Sequence, residues 1–67
     1  MMTKWTTYIE WSNHDRADRD ANEVKHNGKS NARAYLLSEI LELRRKGYVI
    51  VAAELRGPKG KKESLLQ

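Results

Sequence analysis

From Lys4 to Trp11 the chain alternates. Trp5, Thr7, Ile9 and Trp11 fall on one side of an extended backbone, and Thr6, Tyr8 and Glu10 fall on the other. A period of two, rich in aromatic and β-branched residues, predicts a first strand with its tryptophans turned to the core. Residues 12–20 are polar, strongly charged and without periodicity, and predict a loop. Ala21 to His26 predicts a short second strand with Val24 as its one strong apolar anchor. Asn27-Gly28 is a turn dipeptide that leads from this strand into a helix.

The period then changes. Ala32, Leu36, Ile40 and Leu43 line one face at helical spacing, and Ala34, Leu37 and Leu41 widen that stripe on one side. The helix is predicted over Asn31 to Lys46, with Ser30 or Asn31 as N-cap. Glu42 can pair with Lys46 at i,i+4, and Arg44, Arg45 and Lys46 complement the negative end of the helix dipole. Gly47 is the expected residue just past the C-terminus. Tyr48 to Arg56 predicts the last strand. Val49, Val51, Ala53 and Leu55 form one side of it, and Tyr48, Ile50 and Ala52 make the other partly apolar too. Gly57-Pro58 stops that strand.

The expected fold is α+β, in the order β-(β)-α-β. One amphipathic helix packs on one face of a small, mainly antiparallel sheet of two to three strands. Residues 1–57 form the single domain, and residues 58–67 form a flexible basic tail. The opposite sheet face, with Tyr8 and Tyr48 among its members, stays more open.

At 67 residues the chain holds one domain. A domain near this size buries only about 60% of the surface its unfolded chain exposes, so its stability is marginal. There is no cysteine, which excludes disulfides, cysteine-based zinc sites and thiol chemistry. No apolar run approaches the roughly 20 residues that span a bilayer, and no apolar stretch follows Lys4 as in a signal peptide. A soluble, cytoplasmic protein is the expectation.

The net charge is +4, and it is uneven. Residues 1–24 carry −2 and residues 25–67 carry +6. A basic half attracts polyanions, either nucleic acid or an acidic protein face. The same charge also serves as a solvated surface that keeps a small protein in solution.

Candidate chemistry is sparse. Asp15, Asp18 and Asp20 resemble part of a calcium loop, but the ligand spacing and the turn glycine are missing and two arginines interrupt the carboxylates. His14 and His26 alone do not make a zinc site and read as exposed polar residues. His26-Asn-Gly-Lys29-Ser30 holds only a fragment of a phosphate-binding loop. A helix N-terminus can still hold a phosphate weakly. No catalytic residue, metal site or cofactor is expected, and the chain reads as a binder rather than an enzyme.

The basic residues are the strongest signal. Arg44, Arg45, Lys46, Arg56, Lys59, Lys61 and Lys62 form the main candidate surface for a protein partner or for DNA or RNA. Lys25, Lys29, Arg33, Tyr8 and Tyr48 form a secondary set. Lysines and arginines contact phosphates without reading sequence, and no helix-turn-helix, RNA-recognition or zinc-finger pattern is present. If the sheet leaves Leu37 and Leu41 uncovered, they point to a partner or a homodimer.

Lys4-Trp-Thr-Thr-Tyr-Ile-Glu10, a polar segment, a leucine-rich helix and Lys46-Gly-Tyr-Val-Ile-Val51 together resemble small phage-encoded ββαβ proteins. The T7-type inhibitors of bacterial RNA polymerase are one example, and several anti-CRISPR proteins are similar in size and make-up. The resemblance spans Lys4 to Arg56 and rests on element order. It implies a compact accessory protein that blocks a host complex such as RNA polymerase or a CRISPR effector, in the host cytoplasm. Arginines of the last strand serve that family at the polymerase surface, and Arg56 offers the comparable position. Direct nucleic-acid binding and a homodimeric structural module are the alternatives.

Overall fold

The computed structural model describes residues 3–13 and 19–66. The order is β1 (Lys4–Ser12), β2 (Arg19–Asn27), α1 (Lys29–Arg45), β3 (Val49–Arg56), a short 3-10 turn (Pro58–Gly60) and β4 (Lys62–Ser64). The four strands form one antiparallel sheet in the spatial order β2-β1-β3-β4, and α1 packs on one face of it. The α+β class and the single helix on a small antiparallel sheet agree with the pattern of the chain. The strand count does not, because among the described residues the sheet has four strands rather than two or three.

The alternation in β1 decides the faces. Trp5, Thr7 and Ile9 are buried under α1, while Thr6, Tyr8 and Glu10 turn to the other side. Ala32, Leu36 and Ile40 close the core from the helix, joined by Ala53 and Leu55 of β3. Trp11, Leu43 and Ile50 pack against this cluster while remaining partly open.

β3 departs from simple alternation. Between Glu10 and Trp11, one step along β1 faces two steps along β3, from Ala52 to Ile50. The extra residue is Val51, and the irregularity is a β-bulge. It rotates the first half of β3, so that Ile50 joins Trp11 and the helix while Ala53 and Leu55 keep the same face further on. A side made of Val49, Val51, Ala53 and Leu55 therefore does not exist.

The helix starts at Lys29, two residues earlier than its pattern predicts. Gly28 is the N-cap, with a φ of 95°, and no side chain caps the free amides. Asn31 instead donates from Nδ2 to the Asn27 carbonyl at 2.7 Å. The C-terminus ends as expected. Gly47 has a φ of 93°, its amide donates to the Arg44 carbonyl, and the Tyr48 amide donates to the Leu43 carbonyl at 3.0 Å. These two bonds form a Schellman cap, which needs a left-handed residue at Gly47.

Two further expectations are corrected. Leu37, Leu41 and Ala34 are exposed and do not widen the core. From residue 58, where the pattern suggests a tail, the chain turns back and adds β4. Glu54, Leu55 and Arg56 pair with Ser64, Glu63 and Lys62, and Leu65 and Leu66 pack against the core. The Gly57 amide, which donates to the Lys61 carbonyl at 2.8 Å, closes the turn.

Candidate functional site

The sheet face away from α1 is arranged in rows by the strand register. Lys25, Thr6, Arg56 and Lys62 lie side by side across all four strands. The next row is Glu23, Tyr8, Glu54 and Ser64. Beyond it come Ala21, Glu10 and Ala52, then Arg19, Ser12 and Val49. A cationic row thus borders an acidic one, with Tyr8 between two glutamates.

Arg56 ties these rows together. Its Nη1 lies 3.4 Å from Glu23 Oε2 and its Nη2 lies 3.4 Å from Glu54 Oε1. The guanidinium carbon sits 4.7 Å from the Tyr8 ring centroid, within the range of a cation–π contact. The Tyr8 hydroxyl donates to Glu10 Oε1 at 2.9 Å. That hydrogen bond raises the Tyr8 pKa above its ordinary value, with burial and the Glu10 charge adding to it and Arg56 opposing it. Glu10 also pairs with Arg19 at 3.4 Å, and Glu54 with Lys62 at 3.7 Å.

The sequence-predicted cations divide between the two ends of the sheet. Lys25, Lys29, Arg56, Lys59, Lys61 and Lys62 gather where β2 and β3 end and where α1 begins. Lys4 joins them, donating to Asn27 Oδ1 at 2.7 Å. Arg44, Arg45, Lys46 and Tyr48 lie at the other end, where α1 stops and β3 starts. The eight residues of β3 separate the two groups by roughly 25 Å at the rise of a strand. One continuous surface containing Arg44, Arg45, Lys46, Arg56, Lys59, Lys61 and Lys62 is therefore not formed. Arg33 stands on the exposed side of α1.

Several of these cations already have partners. Lys29 pairs with Glu63 at 3.2 Å and lies 5.3 Å from the Trp5 ring centroid. Arg45 and Lys46 share Glu42. The hydrogen bond from Arg45 holds the Glu42 carboxyl below its usual range, and the positive charge of Arg45 and Lys46 adds to this. Among the described residues, the side chains of Lys25, Arg33, Arg44, Lys59 and Lys61 have no ion pair or hydrogen bond.

His26 is not an exposed polar residue. It faces α1 half-buried, with Nε2 3.1 Å from Thr7 Oγ1 and its ring 4.7 Å from that of Tyr35. His14, Asp15 and Asp18 lie outside the described residues. Among the described residues there is no cavity, no group of three or more metal-ligating side chains, and no helix long and apolar enough to cross a membrane.

Lys4, Glu23 and Glu54 belong to the site but carry no motif that marks them. Only the strand register brings them beside Tyr8 and Arg56. No protein-family model, curated protein or solved structure matches the chain.

Proposed function

We propose that this chain is a non-enzymatic binding protein that docks on a partner protein through the open face and basic end of its sheet. In this reading it is a phage or mobile-element accessory protein. It blocks a host nucleic-acid-handling complex, such as RNA polymerase or a CRISPR effector, in the host cytoplasm. The biological setting rests on the likeness in element order to phage host-takeover proteins. The choice of a protein partner rests on one observation: the row Lys25–Thr6–Arg56–Lys62 borders the row Glu23–Tyr8–Glu54. A phosphate backbone carries one sign of charge. It gains from the first row and is repelled by the second. A protein surface can present both signs in matching rows, and such matching sets specificity.

Capture from bacterial lysate tests this reading. The native chain should retain a protein in stoichiometric amount with or without nuclease. The double change Lys25→Glu and Lys62→Glu should abolish that capture while leaving the circular-dichroism spectrum intact. Capture that disappears with nuclease would overturn it.

Direct nucleic-acid binding is the second reading, favoured by the unpaired Lys25, Lys59 and Lys61 at one end. It requires tight binding to bare DNA or RNA. The binding constant should then fall with log salt by about 0.9 per phosphate contact on duplex DNA.

A further inference from the structure

Among the described residues, β3 is covered along only half of its outer edge. β1 runs beside it on the inner side. On the outer side β4 is registered with Glu54, Leu55 and Arg56, and the Leu65 amide reaches the Ala53 carbonyl at 2.9 Å. Among the described residues, no strand lies against the outer edge of Val49, Ile50, Val51 and Ala52. A sheet edge presents alternating backbone donors and acceptors that only another strand satisfies in full.

The two edges of the sheet differ in kind. β2 guards its side with Arg19, Asp20, Glu23 and Lys25, the charged residues by which proteins discourage pairing. The open half of β3 reads Val-Ile-Val-Ala, with no charge, proline or glycine. The bulge at Val51 twists this stretch and limits an incoming segment to a few residues.

The helix adds an apolar shelf beside this edge. Tyr35 turns toward β2, where it meets Asn22 and His26. Leu37 comes two residues after Tyr35, about 200° further round the helix, so it stands on the flank of α1 towards β3, and Leu41 follows one turn later, turned further towards solvent. Leu37 is 40% exposed, Leu41 68% and Tyr48, the residue before β3, 38%. These are the large hydrophobic side chains left open among the described residues.

The charges around the shelf select its occupant. Arg33 and Arg44 flank the leucines without a partner among the described residues, and Arg45 and Lys46 share the single carboxylate of Glu42. A second copy of the chain would bring the same cations to the same place. An acidic segment would neutralise them.

We propose that the open edge of β3, with Leu37, Leu41 and Tyr48 beside it, takes up a short, extended, acidic segment of a partner protein as an added strand. Apolar side chains of that segment rest on Leu37 and Leu41, and its carboxylates meet Arg33 and Arg44. The strand edge of Val49 to Ala52, with Leu41 and Arg44, lies towards the opposite end of the sheet from Lys25, Arg56 and Lys62, and of its proposed contacts only Arg33 stands near the start of α1, so it stands or falls independently of the reading above.

The test uses the full chain labelled for NMR and an N-acetylated, C-amidated peptide Glu-Thr-Val-Thr-Ile-Thr-Glu as probe, whose Glu, Val and Ile side chains share one face of a strand. Adding the peptide should shift the amides of Val49 to Ala52 and slow their exchange, and should shift the methyl groups of Leu37 and Leu41. Methylating alternate backbone nitrogens of the peptide should abolish these changes. Leu41→Asp, at an exposed position that the fold tolerates, should weaken binding by about tenfold or more, as loss of an anchor does. Arg44→Glu should weaken it as well. A peptide with Lys in place of Glu that binds equally well would overturn the proposal. So would shifts centred on Tyr8 and Arg56, the absence of any shift, or pairing of two copies through Val49 to Ala52 without peptide.

Discussion

The indole of Trp5 lies directly on the backbone of Gly57, where a Cβ would come within 2.6 Å of the ring atom Cη2. The ring has little room to retreat, because Trp5 is buried in the core cluster and Lys29 lies over its ring. The requirement for glycine here is steric, since its φ of −105° is open to any residue. Gly57→Ala should destabilise the protein by about 1–3 kcal/mol, as overpacking of a core does. For a domain of this size each kcal/mol shifts Tm by roughly 4–8 °C. A melting curve identical to that of the native chain would show that the turn relaxes freely.

Leu36 and Leu41 provide a matched pair on one helix. Leu36 is fully buried, whereas Leu41 is largely exposed. Leu36→Ala should cost about 2–5 kcal/mol, enough to unfold much of a domain with roughly 5 kcal/mol of stability. Leu41→Ala should stay within about 0.5 kcal/mol of the native chain. Chemical denaturation of both variants checks the pair, and equal losses would place Leu41 in the core.

β4 yields a third expectation. Leu65 and Leu66 pack against the core, and the Leu65 amide is held by Ala53. Replacing both leucines with serine should lower Tm by several degrees, because about 25 cal/mol is lost for each Å² of apolar surface no longer buried. An unchanged Tm would mean that the segment contributes nothing to the fold.

The legible parts of this fold are those where one local period decides the outcome. Trp5, Thr7 and Ile9 of β1 and Ala32, Leu36 and Ile40 of α1 are placed by spacing alone, and Gly47 by its left-handed cap. β4 was not legible, because Lys62-Glu-Ser64 has no apolar alternation and is held through backbone pairing with a strand already formed. The bulge at Val51 was hidden too. Val49 to Ala53 is small and apolar on both sides, so either alternation fits the sequence. The candidate site depends on register, which no local pattern contains. Arg56 was visible as a cation, but its position between Glu23, Tyr8 and Glu54 follows only from pairing β1 with both β2 and β3.

That position leads to the last prediction, which concerns the titration of Tyr8. Its hydroxyl donates to Glu10, which favours the protonated phenol, while the cation of Arg56 favours the phenolate. The two neighbours therefore push in opposite directions, and the native pKa is raised because the Glu10 hydrogen bond, with burial and the Glu10 charge, outweighs Arg56. Glu10→Gln removes the acceptor charge and should lower the Tyr8 pKa. Arg56→Ala removes the opposing cation and should raise it further. A labelled Tyr8 ring carbon followed by NMR across alkaline pH reads both shifts directly. Arg56→Lys keeps the charge but loses the planar group that stacks on the ring, so it should fall between the native chain and Arg56→Ala. A downward shift with Arg56→Ala would separate Tyr8 from the Arg56 row and remove the link between the cationic and acidic rows of the open face, and an upward shift with Glu10→Gln would remove Glu10 as the acceptor of the Tyr8 hydroxyl.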